Sequence, residues 1–241
     1  LLKNLGGEAL NPEYIYQERV LQIEPGKTHS LVEKMEVKNS AAVLEIQVDQ
    51  YDPKLRVALM VLDTALQPMF YNDLRTQQQL GYIVNSGMTE LEKTLGMIFM
   101  VQSGKYDAAT LEQRIQDFLP GFIHSMAELT KKELETFKQS VINSKLQKST
   151  SLSGEAGRLY NIAFEQDADF DYNSEELKIL EKLTLDDLRQ LIRNYLIPER
   201  RRVLSLHMVG KEHQSSQVGK TRIESVKDFK KKHPCPTFCL P

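Results

Sequence analysis

Cysteine is scarce in this chain of 241 residues, which carries only Cys235 and Cys239, both in the tail segment HPCPTFC. A disulfide there would close a tiny loop. With His233 the pair offers three metal-type ligands, but not the two spaced pairs of a structural zinc site. No staple is required, because a chain of this length can bury roughly 70% of its unfolded surface. Charge of one sign is also lacking: Lys+Arg 31 against Asp+Glu 33 leaves a net −2. That balance gives no support to a nucleic-acid partner, which would leave a basic footprint. No run approaches the ~18 apolar residues of a membrane span, so no membrane association is expected. The longest apolar stretch, Val57 to Leu62, lies inside an amphipathic pattern. The start, LLKNLGGEALNPEY, lacks the basic and apolar regions of a signal peptide and begins without Met, so the compartment is not legible from the ends. A fragment of a longer chain is the expectation.

Catalytic motifs are missing as well. PGKT at 25–28 and VGKT at 218–221 suggest a phosphate loop, but the required earlier glycine is replaced by Leu21 and Gln214. There is no G-x-G-x-x-G and no G-x-S-x-G. Neither H-E-x-x-H nor the inverted H-x-x-E-H surrounds His29, His124, His207, His213 or His233. Each isolated histidine reads as structural or solvated, and the chain alone is not expected to be a hydrolase.

What is present is a clear pattern of elements. Residues 16–23 and 30–37 read as strands around the turn EPGKTH, and 42–51 alternates with Leu44, Ile46 and Val48 on one face. Asp52-Pro53 opens a helix, apolar nearly all round, that runs to about Leu74. Strands follow at about 81–91 and 94–103, the second central. A helix with Leu111, Ile115, Phe118, Phe122 and Met126 at helical spacing is predicted to kink, not stop, at Pro120-Gly121. Thr130 with Glu133 forms a capping box; Asn173 with Glu176 and Thr184 with Asp187 open two more helices, after one at 153–166. A closing strand at 201–210 and a short terminal helix complete the chain. The pattern is α+β, with an antiparallel sheet and helices packed on one face. One domain over 1–241 is expected, with 1–12 and 234–241 peripheral.

The segment FYNDLRTQQQLGYIV resembles the C-terminal, non-catalytic domain of the pitrilysin/insulin-degrading-enzyme family of inverted zincins. Its motif, approximately F-x-x-L-R-T-x-x-Q-L-G-Y-x-V, is matched at Leu74, Arg75, Thr76, Gln79, Leu80, Gly81, Tyr82 and Val84. MIFMVQSGK at 97–105 and the tail VKDFKKKHPCPTF agree. The chain departs at Gln78, often acidic in relatives, and at Tyr71, where some relatives have Phe. The resemblance implies a metallopeptidase-domain fold of the LuxS/mitochondrial-processing-peptidase-like type. It further implies a chamber built from four such domains, with zinc in the catalytic N-terminal half and none in this chain. Soluble life in the cytoplasm or a bacterial periplasm would follow.

By the same resemblance, Arg75 and Tyr82 act as auxiliary catalytic residues that contact the peptide substrate, and Tyr71 lines a side-chain pocket. The chemistry is sound: donors aimed at a developing oxyanion stabilise the transition state more than the substrate. A phenol is a neutral O–H donor, and a guanidinium is a permanently charged fork. Plainer readings stand beside these. Arg75 falls in a last helical turn, where the dipole favours a cation. Tyr82 shares a strand face with Val84 and reads equally as core, and Tyr71 as a packed aromatic. Two functions are therefore carried forward. One is a non-catalytic domain completing a zinc metalloendopeptidase beside its catalytic half; the other is a free-standing peptide-binding or scaffold subunit of the same fold.

Overall fold

The structure, a computed structural model, describes residues 20–166, 168–213 and 221–232. Its sheet runs in the order β3-β4-β2-β5-β1-β6. The strands are β1 (Thr28–Lys34), β2 (Ser40–Gln50), β3 (Ile83–Leu91), β4 (Thr94–Ser103), β5 (Arg202–Val209) and β6 (Thr221–Arg222). The expected α+β class, with helices on the sheet, is what the chain adopts. The antiparallel expectation holds from β3 through β5, whereas β1 pairs parallel with β5, Thr28 opposite Val203, and β6 pairs parallel with β1. The sheet is therefore mixed. A strand at 16–23 is not observed over residues 20–23, and 16–19 lie outside the described residues. There the Gln47 side chain accepts from Ile23 N–H (2.8 Å) and donates to the Leu21 carbonyl (2.8 Å), so a side-chain amide replaces a strand ladder.

Alternation in β2 buries Ala42, Leu44, Ile46 and Val48, and β4 adds Leu95, Met97, Phe99 and Val101 to the same face. Against this face lie α1 (Pro53–Phe70) and α2 (Ala108–Ala127), followed by α3 (Lys131–Leu146), α4 (Leu152–Glu165), α5 (Tyr172–Lys182), α6 (Leu185–Leu191) and the short α7 (Val226–Lys232). Asp52 caps α1 by accepting from Leu55 N–H, and the boxes Thr130/Glu133 and Thr184/Asp187 form as expected. Helix α2 continues through Pro120. Asn173, by contrast, does not open α5. The N-cap is Asp171, and Glu176 is drawn into an ion network with Arg56 (2.6 Å) and Lys145. Arg56 also reaches Glu90 at 2.7 Å, so α1, β3, α3 and α5 are tied together.

A chain of phenylalanines occupies the core below the end of α1. Phe70 meets Phe99 (5.4 Å between centroids) and Phe118 (5.2 Å), and Phe118 stacks on Phe122. These edge-on contacts hold the last residue of α1 rigidly. Everything that follows Phe70 is positioned from that anchor.

Candidate functional site

Helix α1 does not end at Phe70. It widens into a π-helical segment, Tyr71–Gln77. Pro68, inside the last turn of α1, has no N–H to donate and weakens the ladder just upstream. The wider spacing is explicit at the exit: Gln78 N–H donates to Asp73 O, five residues back (2.9 Å), and Leu80 N–H to Leu74 O (3.1 Å). The Gln78 side-chain amide also donates to Asp73 (3.0 Å), which ties off this turn. π-Turns of this kind are rare and gather at functional sites.

Leu74 and Leu80 are buried and pin the segment on both sides of a tight reversal in which Gln79 takes φ 51°. Gly81 then passes against the backbone of β4. A Cβ there would lie 1.8 Å from the Gln102 carbonyl oxygen, so no other residue fits without moving the main chain. This main-chain contact sets where Tyr82 emerges.

Tyr82 is 85% exposed, while Val84, two residues on, is buried. The reading of Tyr82 as core therefore fails. The reason is register: pairing of β3 with β4 begins at Ile83 opposite Gln102, so Tyr82 precedes the pleat and its side chain does not follow the alternation. The Arg75 guanidinium carbon stands 5.3 Å from the centre of the Tyr82 ring, within cation–π range, a contact worth about 0.5–1 kcal/mol at an exposed site. Among the described residues Arg75 makes no ion pair. The two side chains singled out by the sequence are thus adjacent in space. Tyr71, one helical turn before Arg75, is 51% exposed and not a packed core aromatic. It makes no ring contact with the pair.

The surroundings add features the sequence reading missed. A groove of about 350 Å³ runs between the π-segment and α2, lined by Asn72, Asp73, Asp117, Phe118, Gly121 and Ser125. Gly121, over which a Cβ would meet nothing within 4 Å, was its one sequence trace. Strand β3, which leads away from Tyr82, is an edge of the sheet, with Ile83 exposed. On the other side of the core, Glu112 of α2 accepts hydrogen bonds from Ser205 (2.6 Å) and His207 (2.5 Å). Burial pushes the Glu112 carboxyl up, but the bonds from His207 and Ser205 outweigh it and hold the group below the usual carboxylate range. His207 is fully buried, as a structural histidine would be. Among the described residues no group of three or more His, Cys, Asp or Glu could hold a metal ion, and no helix is long and apolar enough to cross a membrane. His233, Cys235 and Cys239 lie outside the described residues.

Comparison with known proteins gives a consistent picture. Residues 61–160 match the family described as PQQ synthase PqqF-like, C-terminal lobe domain 4. Over 221 residues the chain is 26% identical to insulin-degrading enzyme of Homo sapiens, covering 90% of this chain and 22% of that protein. The fold is similar to that of pitrilysin, at TM-score 0.77 and 22% identity over 90% of this chain and 24% of that one. It is also similar to a peptidase M16 inactive domain from Pseudomonas fluorescens, at TM-score 0.60 and 16% identity, covering 87% of this chain and 48% of that chain. The chain thus spans about a fifth of the curated relative it matches.

Proposed function

We propose that this chain, similar to a PqqF-like C-terminal lobe domain over residues 61–160 and to insulin-degrading enzyme over 221 residues, is a non-catalytic C-terminal domain of a pitrilysin-type peptidase and supplies Arg75 and Tyr82 to a peptide-cleaving site whose catalytic half lies elsewhere. The observation that carries this reading is the pair itself: a tyrosine 85% open to solvent, held beside a half-buried arginine that makes no ion pair among the described residues, on a backbone locked by Leu74, Leu80 and Gly81. Rigid support of this kind is what a positioned donor requires.

In this reading the metal belongs to the catalytic half. The role of this domain is electrostatic and positional. When water adds to a peptide carbonyl, the oxygen becomes negative, and the Tyr82 hydroxyl donates a hydrogen bond to it. The Arg75 fork grips a neighbouring peptide carbonyl and keeps the phenol ring in place from its face. Tyr71, farther along the segment, contacts a peptide side chain. Substrates are therefore extended peptides that reach from the catalytic half to the π-turn.

The test is steady-state cleavage of a fluorogenic peptide by the full-length peptidase carrying this domain, wild type against Tyr82→Phe. Loss of the hydroxyl is expected to lower kcat by about 10²–10³, the usual effect of removing one oxyanion donor, with KM little changed. Equal kcat values would remove Tyr82 from the chemistry and leave the domain as a wall of the chamber. The alternative of a free-standing peptide-binding subunit would show instead as peptide affinity that falls with Arg75→Ala in a protein without peptidase activity.

A further inference from the structure

The groove between the π-segment and α2 has no part in the reading above. At about 350 Å³ it falls at the lower end of the range of ligand pockets, and its floor and rim differ in chemistry. The floor is apolar: the buried rings of Phe118 and Phe122, stacked 5.9 Å apart, with Met69 beside them. The rim is acidic. Asp117, Gly121 and Ser125 recur every four residues and so form one row along α2, and Asp73 stands on the facing wall. Gly121 leaves the middle of that row without a side chain, and a Cβ placed there would meet only open space.

Two carboxylates meet this groove without a cation. Each has one oxygen engaged by a neutral amide, Asp73 by Gln78 (3.0 Å) and Asp117 by Gln113 (2.8 Å). Among the described residues neither makes an ion pair, and no lysine, arginine or histidine lines the groove. A metal ion does not suit the pair, since among the described residues no third ligand of metal-binding type joins them. A cation carried on a methylene stem does suit it. Such a stem can lie on the two rings while its charged head reaches the carboxylates at the rim, the way long basic side chains ordinarily bury their carbons.

We propose that this groove is a subsite for a lysine or arginine side chain of the peptide substrate. This rests on the reading of Arg75 and Tyr82 as peptide contacts and adds a selectivity to it. Asn72 and Asp73 of the groove belong to the same seven-residue π-segment as Arg75. A peptide held at the pair therefore passes the groove within a few residues, and charge selects which peptides are retained.

The experiment compares matched fluorogenic peptides on the full-length peptidase carrying this domain. Lysine, or norleucine with the same stem and no charge, is walked through the positions flanking the cleaved bond. At one position lysine should lower KM by about three- to tenfold, the worth of one or two partly exposed ion pairs, and the advantage should shrink at high salt. Asp117→Asn should bring the lysine-to-norleucine ratio close to one. Gly121→Leu, entering open space, should fill the groove and remove the preference as well. Equal KM for lysine and norleucine at every position overturns the proposal, and so does a lysine preference that survives either substitution. Fluorescence anisotropy of the same peptides, labelled, gives affinity without turnover and can be taken on Tyr82→Phe. The lysine preference and the kcat of Tyr82→Phe are therefore separate results, and failure here leaves the kcat test standing.

Discussion

Helix α1 has an arginine near each end of its run, and the two are used in opposite ways. Arg56, in the first turn, is enclosed by Glu90 and Glu176 and shares Glu176 with Lys145. Arg75, past the far end, makes no ion pair among the described residues and stands against the ring of Tyr82. The first guanidinium is held by two carboxylates of the protein, Nε donating to Glu90 and Nη1 to Glu176. The second is half-buried and stands against an aromatic face, a contact that does not consume its hydrogen bonds. The two arginines are thus distinguished by their partners, not by helix or sequence context.

That contrast can be broken in order of effect. Glu176→Ala should be the most damaging change. It leaves Arg56 and Lys145 without their shared, 1%-exposed partner, and breaking a buried pair costs about 3–5 kcal/mol, readable as a lowered urea midpoint. Glu112→Gln should follow, at about 1.5–3 kcal/mol, the usual worth of hydrogen bonds to a charged group. Its signature is in the pH dependence. The folded carboxyl titrates below its ordinary 4.5, so its contribution is complete above pH 4.5 and is lost as pH falls through the lower folded value. The stability gap between wild type and Glu112→Gln should be full at pH 7 and narrow only under pH 4.5. Gly81→Ala comes next, at about 1–3 kcal/mol for overpacking, because its Cβ collides with the Gln102 carbonyl. Near-ultraviolet circular dichroism of Tyr82 should change with it. Arg75→Ala should sit within ~0.5 kcal/mol of wild type. A larger loss would place Arg75 with Arg56 as a structural residue.

Local chemistry was legible in the sequence and long-range pairing was not. Asp52-Pro53, Thr130/Glu133 and Thr184/Asp187 announce helix starts because each cap is closed within four residues. Asn173/Glu176 has the same spacing and misleads, since Glu176 is claimed by Arg56 from 120 residues away. The parallel pairing of β1 is likewise decided by β5, which no local pattern reveals. At the candidate site, the block around Arg75 and Tyr82 marked two side chains that the fold brings together. The exposure of Tyr82 did not follow from alternation, because alternation applies only once pairing has begun at Ile83. A π-turn differs from an α-turn by one residue of hydrogen-bond spacing, and side-chain pattern does not encode it.

The position of β5 between β2 and β1 has a consequence in time. Among the described residues strand β1 has no antiparallel neighbour, and its ladder with β5 waits for residues 203–209. On a ribosome adding about 5–20 residues per second, that partner appears roughly ten to thirty seconds after β1 has been made. Until then β2, β3 and β4 can pair among themselves while β1 remains open, so the sheet closes only after residue 209 has been made.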